Sequence, residues 1–162
     1  MLANVIDVTI ELLADRPELI EPVGLLRFDE WGRPPEPDTA QWWINVTRQE
    51  SGRGDLPVTF VACDSEGEAV GAVGIAEFDP DDLGDRSPWV IGMVVRPDRR
   101  RAGIGRLLVD RLDPHARGLG FGQIWVATGP PATEFYRRCG YRPAEVMRSP
   151  RGEDAHILVK RM

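Results

Sequence analysis

The chain has 162 residues, a formal net charge of −6 and a sequence pI of about 5.0. Hydrophobic residues make up 42% and charged residues 28%, so the composition is that of a globular domain and excludes a disordered chain. The acidic balance argues against nucleic acid or an anionic membrane as the main partner.

The N-terminal third is expected to contain one strand followed by two helices. Residues 5–12 alternate apolar and polar side chains, which predicts a strand. Asp15 and Glu18 form a capping-box pattern, which predicts that a helix begins there and continues to about Trp31. Residues 39–50 carry apolar side chains on one helical face and predict a second helix.

The middle of the chain is expected to form three strands and a long helix. Two apolar runs, residues 57–64 and 69–78, predict a hairpin. Residues 88–95 are almost all apolar and predict a strand buried on both faces. Residues 103–119 show amphipathic helical spacing, and Pro114 within them predicts a kink or a break near residue 113.

The C-terminal third completes the predicted sheet. Residues 123–127 form a strand that, with the preceding helix, makes a βαβ unit and predicts parallel pairing with residues 88–95. A short helix over residues 132–139 and strands over 142–147 and 156–161 follow. We therefore expect one mixed α/β domain, residues 1–162. Its sheet would be mostly antiparallel with one parallel crossover and with helices on both faces.

Several kinds of chemistry are excluded by residue type and spacing. Two cysteines and two histidines are scattered singly, so neither a disulfide framework nor a zinc site is expected. The single lysine, Lys160, lies near the C-terminus and cannot belong to a Walker-type phosphate loop. No run of 18 apolar residues exists, so we expect that the chain does not cross a membrane. Two free thiols are typical of a cytoplasmic protein, and the scattered cysteines and histidines predict that it uses no metal.

A basic loop leads into the helix that starts at Gly103. Backbone N–H groups in the first turn of a helix are unpaired and carry partial positive charge, so they bind phosphate oxygens. Gly103 and Gly105 lack the Cβ atoms that would block such an approach, although both could equally serve tight packing. The arginines around this turn are Arg99, Arg100, Arg101 and Arg106. The segment does not match the dinucleotide-binding fingerprint, because Leu108 stands where that pattern has its third glycine.

Two motifs resemble those of one protein family. Arg100-Arg101-Ala102-Gly103-Ile104-Gly105 matches the acetyl-coenzyme A signature Arg/Gln-x-x-Gly-x-Gly/Ala of the GNAT superfamily of N-acetyltransferases. Residues 132–141, which include Phe135, Tyr136 and Gly140, are similar to the family segment Ala-x-x-Phe-Tyr-x-x-x-Gly-Phe. The resemblance is strongest over residues 88–142.

The resemblance implies acetyl-coenzyme A (acetyl-CoA) as the cosubstrate. The strand over residues 88–95 would bulge and would part from the next strand to admit the pantetheine arm. Gly92 is permissive for such a bulge, although it could equally be a packing glycine. The pyrophosphate would lie on the amides of residues 101–106. The implied coenzyme-binding residues are Met93, Val94, Val95, Arg100, Arg101, Ala102, Gly103, Ile104, Gly105 and Arg106.

The implied reaction is direct transfer of the acetyl group from the thioester to a primary amine. A backbone N–H near Val94 would stabilise the oxyanion, and Tyr136 matches the acid that protonates the departing thiolate. The alternative for Tyr136 is a core aromatic residue beside Phe135. No base is evident: Glu77 and Asp79 could act through water or be ordinary loop acids.

Other features leave alternatives open. Gly129 stands where the family often has an asparagine that helps to hold the coenzyme, and together with the missing base this leaves a non-catalytic acyl-CoA-binding sensor or interaction module as a second interpretation. Three tryptophans, Trp31, Trp42 and Trp43, either line a pocket for an apolar or cationic amine or pack the helices together. The acceptor is undefined, and both a monomer and a homodimer remain open.

Overall fold

A computed structural model of the chain describes residues 7–32, 39–77, 86–148 and 154–162. Within them the strands are β1 (Val8–Leu12), β2 (Val58–Asp64), β3 (Ala69–Ala76), β4 (Trp89–Val95), β5 (Gln123–Thr128), β6 (Arg142–Arg148) and β7 (Asp154–Arg161). They form one sheet in the order β1-β2-β3-β4-β5-β7-β6. All neighbouring strands are antiparallel except β4 and β5, which are parallel. This arrangement confirms the predicted mixed sheet and its crossover.

The helices cover both faces of the sheet, as predicted. They are α1 (Ile20–Trp31), α2 (Ala40–Gln49), α3 (Ile104–Gly118) and α4 (Thr133–Arg138). Alternation along β2 shows the two faces, because Phe60 packs in one cluster with residues of α3 and α4, whereas Val61 packs in another with residues of α1. None of the described helices is long and apolar enough to cross a membrane.

The start of the first helix differs from the prediction. Two short 3₁₀ turns, Leu13–Asp15 and Pro17–Leu19, precede α1, which begins at residue 20. Asp15 pairs with Arg53 and Glu18 pairs with a neighbouring arginine, so neither carboxylate caps the helix. The predicted capping box is wrong because ion pairs with arginines occupy both of its acidic side chains.

The long helix α3 runs through Pro114 without interruption. Of the kink or break predicted near Asp113, the break is therefore wrong. Pro114 is exposed and therefore lies on the outer side of the helix, where water can bind a carbonyl group that proline leaves without a partner. The opposite face, which includes Leu108 and Leu112, is fully buried and keeps the helix packed on the sheet.

A bulge in β4 shapes the centre of the sheet. Gly92 and Met93 lie opposite the single residue Val73 of β3, and Gly92 has a left-handed φ of +55°. The extra residue shifts the alternation of side chains, so that Met93 and Val95 point to the α3 side of the sheet. The family resemblance implied a bulge in this strand, with Gly92 as a permissive position, and the register of β3 and β4 confirms the bulge.

Candidate active site

A cleft opens where β4 and β5 part. The two strands are in register at Trp89 and Trp125 only, and beyond this pair they diverge. The resulting cavity has a volume of about 1220 Å³, larger than the roughly 300–1,000 Å³ typical of small-molecule sites. The cleft is thus large enough for a long ligand, and it exposes the edge of a strand along which such a ligand can form backbone hydrogen bonds.

The cleft brings together residues from both sequence motifs. Every coenzyme-binding residue that the sequence predicted, except Ala102, lines it, and Tyr136 lines it as well. Ala102 is exposed in the loop before α3 and lies outside the lining. The two motifs, separated by a helix and a strand in the chain, therefore meet in one cavity.

The N-terminus of α3 presents backbone donors on the wall of the cleft. Gly103 caps the helix with a φ of +86°, and no side chain caps it. The Leu107 N–H donates to the Gly103 carbonyl oxygen at 3.2 Å, so the amides of residues 104–106 precede the first bond within the helix. Their partial positive charge suits an anionic ligand such as a diphosphate.

Gly105 has a packing role that the sequence left as an alternative. A Cβ atom there would lie 2.8 Å from Met93 Cε and 3.1 Å from two ring carbons of Phe135. The absence of a side chain at Gly105 thus allows α3 to approach both β4 and α4 closely. This close approach brings the amides of α3 to the edge of β4.

Arginines give the cleft its positive charge. Those in the lining are Arg99, Arg100, Arg101, Arg106 and Arg138. Arg106 Nη1 donates to the Arg138 carbonyl oxygen at 2.6 Å, which ties α3 to α4. Arg101 forms no ion pair with any residue that the structure describes, and its φ is +63°. Sequence reasoning missed Arg138, although it lies within the second motif.

The end of α1 forms another part of the rim. Glu30 and Trp31 line the cleft, and Glu30 Oε2 accepts a 2.6 Å bond from Arg100 Nη2. Arg100 Nε also donates to the Val95 carbonyl oxygen at 3.0 Å, so this side chain links α1 to the end of β4. Glu30 is the single carboxylate among the described lining residues.

The candidate bases and the three tryptophans that the sequence analysis named do not all lie in the cleft. Glu77 is exposed and outside the cleft lining, and Asp79 is not among the described residues. Of the three tryptophans, Trp31 lines the cleft, while its ring packs 5.8 Å from that of Trp43, which in turn contacts Trp42 edge-on at 5.2 Å. This stacking joins α1 to α2.

Tyr136 reaches the cleft from a nearly buried position. Its side chain is 5% exposed, and its ring packs edge to face against Phe135 at 5.0 Å and Tyr141 at 5.6 Å. Burial raises the pKa of Tyr136 well above its ordinary value, because the phenolate would lose its hydration. The phenol therefore stays protonated at neutral pH and can act as a hydrogen-bond donor.

Comparisons with known proteins agree with this geometry. No curated protein matches the chain. Among solved structures, an aminoglycoside 6'-N-acetyltransferase complexed with coenzyme A has a TM-score of 0.76 at 18% identity, over 94% of this chain and 96% of that one. A mutant spermidine N-acetyltransferase from Vibrio cholerae has a TM-score of 0.71 at 16% identity, over 94% and 92%.

A third structure is a putative streptothricin acetyltransferase from Bacillus anthracis in complex with acetyl-CoA, with a TM-score of 0.61 at 14% identity over 71% of this chain and 67% of that one. At these identities the likeness shows a shared fold. The family described as "Acetyltransferase (GNAT) family" matches residues 15–141, which include both cleft motifs. The chain belongs to the GNAT acetyltransferase family, and it is an acyltransferase that uses acetyl-CoA as its cosubstrate.

Proposed function

We propose that the protein is an N-acetyltransferase that moves an acetyl group from acetyl-CoA directly to a primary amine. Residues 1–162 would form one catalytic domain. The observation that carries this proposal is the meeting of the α3 amides and Tyr136 in one cleft. Two of the solved relatives are named for N-acetylation, of aminoglycosides and of spermidine, and these names favour a nitrogen acceptor.

The coenzyme would be held at two places in the cleft. The diphosphate would bind the amides of residues 104–106, with Arg101 and Arg138 adding charge-assisted bonds. The pantetheine arm would lie along Met93, Val94 and Val95, on the side of β4 from which β5 diverges. Acetyl-CoA would supply a thioester carbonyl that a neutral amine can attack.

The transfer step forms one bond and breaks one. The amine nitrogen bonds to the acetyl carbon, the carbon–sulfur bond breaks, and the sulfur leaves as a thiolate. A backbone N–H of β4 near Val94 would donate to the carbonyl oxygen as it gains negative charge. Tyr136 would donate its proton to the thiolate. Reference pKa values of about 10 for the phenol and 8.5 for the thiol make this transfer uphill by about 2 kcal/mol.

Burial affects both partners of that proton transfer. The low polarity that raises the pKa of Tyr136 also disfavours a thiolate in the same cleft, so the difference between the two groups remains modest. On the acceptor side, Glu30 is already bonded to Arg100. We therefore assign the removal of the amine proton to solvent water instead of a carboxylate among the described lining residues.

The test compares Tyr136→Phe with Tyr141→Phe. Tyr141 is also a buried tyrosine, and its hydroxyl has no hydrogen-bond partner among the described residues, so it is a matched control. A panel of primary amines is assayed for thiol release from acetyl-CoA. With the best amine, Y136F should lower kcat by about 100-fold, whereas CoA affinity stays within twofold and Y141F keeps its turnover.

Two other results would lead to different conclusions. If Y136F turns over like the wild type, Tyr136 is a packing residue and not the acid. If no amine is acetylated although CoA binds, the second interpretation, a non-catalytic acyl-CoA-binding sensor or interaction module, is the better one. Gly129, in place of the asparagine common in the family, and the absence of an unpaired carboxylate in the described lining are the observations that favour it.

A further inference from the structure

A buried arginine lies directly beneath the bulge of β4. Arg27 of α1 is 1% exposed, and its Nε donates to the Gly92 carbonyl oxygen at 3.2 Å. Its Nη1 donates to Thr47 Oγ1 at 3.1 Å and to Glu50 Oε1 at 3.0 Å. One side chain thus connects α1 and the end of α2 to the strand that lines the cleft.

Arg27 and the bulge depend on each other sterically. A Cβ atom on Gly92 would lie 2.5 Å from Arg27 Nη2 and 2.6 Å from its Cζ. The guanidinium therefore occupies the space that any side chain at position 92 would need. A glycine with a left-handed φ of +55° is required both by the backbone of the bulge and by this contact.

Stability alone does not account for this arrangement. A buried ion pair loses hydration on both partners, and well-packed apolar residues are often at least as stable in its place. Burial lowers the pKa of Arg27 and raises that of Glu50, which shows that both charged forms are penalised. Arg27 Nη2 has no hydrogen-bond partner among the described residues, a further cost. The pair does, however, define a direction for the Gly92 carbonyl group.

We propose that Arg27 is a positioning residue that sets the orientation of the Gly92–Met93 peptide in the acetyl-CoA cleft. The peptide unit is planar and trans, so a carbonyl group held towards the guanidinium makes the Met93 N–H point the opposite way. Met93 and Val94 line the cleft, and a misplacement of about 1 Å at such a site costs about 100-fold in rate. The inference rests on the proposed binding of the coenzyme along β4.

The variant Arg27→Lys separates positioning from simple charge pairing. Lysine keeps a buried positive charge opposite Glu50, but its single ammonium lacks the fork that reaches Glu50 and the Gly92 carbonyl oxygen together. If Arg27 has a purely structural role, R27K should fold and bind CoA with the same affinity as the wild type. A positioning role predicts a near-normal urea midpoint and a Kd for CoA that is at least fivefold higher, measured by calorimetry.

A second variant keeps the proposal testable if R27K does not fold. R27M/E50Q replaces the pair with neutral side chains of similar volume. The control E11Q/R16M, at the edge strand β1, removes an arginine that pairs with Glu11 at 2.8 Å and with Glu18 at 2.6 Å. Either folded Arg27 variant should bind CoA at least fivefold more weakly, with the control within twofold of wild type. A smaller loss in the folded Arg27 variants overturns the proposal.

The amide resonance of Met93 gives a readout that needs no turnover. In ¹⁵N-labelled protein without CoA, this resonance should shift in R27K and not in the control, and an unchanged resonance overturns the proposal. A failure of the proposed acetyl transfer would give a different result from a failure of the proposed role of Arg27. Wild-type protein would then bind CoA without acetylating any amine, and the Met93 comparison would still decide the role of Arg27.

Discussion

Gly92→Ala is a substitution for which the structure predicts a large loss of stability. Alanine at this position must adopt a φ of +55°, which costs about 1–2 kcal/mol. Its Cβ must also displace the guanidinium of Arg27, which lies 2.5 Å away at Nη2. The guanidinium is enclosed between α1, α2 and β4, so it has no room to move without losing its partners.

The size of the effect follows from those partners. Disrupting a buried ion pair without replacing both members costs about 3–5 kcal/mol. Together with the backbone cost, we expect G92A to lower the free energy of unfolding by about 4–7 kcal/mol. A domain of this size has a total stability of about 5–15 kcal/mol, so the variant should be marginally stable at best.

Gly120→Ala provides the matched control for urea unfolding of G92A. Gly120 has a φ of +90°, and a Cβ there would meet no atom within 4 Å. G120A should therefore show the backbone cost alone, about 1–2 kcal/mol. If G92A and G120A lose the same stability within about 0.5 kcal/mol, the contact between Gly92 and Arg27 does not exist in solution, and the reasoning is refuted.

Two further predictions concern the coenzyme loop and a buried thiol. Gly103→Asp and Gly103→Asn have a similar backbone cost at a φ of +86°, so they differ mainly in charge. The negative charge of G103D should therefore weaken CoA binding at least tenfold relative to G103N, measured by calorimetry at low salt. Equal affinities would argue against a diphosphate at this turn. Burial raises the pKa of the Cys63 thiol from about 9 to about 11. Because the unfolded chain loses this proton first, the stability is complete below pH 9 and declines as the pH rises towards 11. Cys63→Ala should remove up to about 3 kcal/mol of that decline in urea titrations, and parallel curves for both proteins would contradict it.

The strands and most helices were predictable because their signals are local. The alternation along β2 and the helical spacing of α3 each arise within a few neighbouring residues. The same reasoning failed at Asp15 and Pro114. The carboxylate of Asp15 pairs with Arg53, 38 residues further along the chain, and the outward position of Pro114 depends on how α3 packs against the sheet. Local patterns do not contain either contact.

The coenzyme motifs were recognisable because they require particular residue types at fixed spacing. Gly103 provides a left-handed cap, and short spacing places the arginines around the amides of one helical turn. The packing role of Gly105 was not distinguishable from a phosphate-binding role, because the contacts with Met93 and Phe135 exist only after α3, β4 and α4 have come together.

Residue order alone thus specified the strand–loop–helix unit, since it depends on groups that are adjacent in the chain, and the two motifs indicated the family. Folding added Arg27, which is separated by 65 residues from Gly92 and by 23 from Glu50. No periodicity or motif links these positions, because a contact between distant residues arises from the packing of whole elements. The burial of Tyr136 likewise arises from tertiary packing.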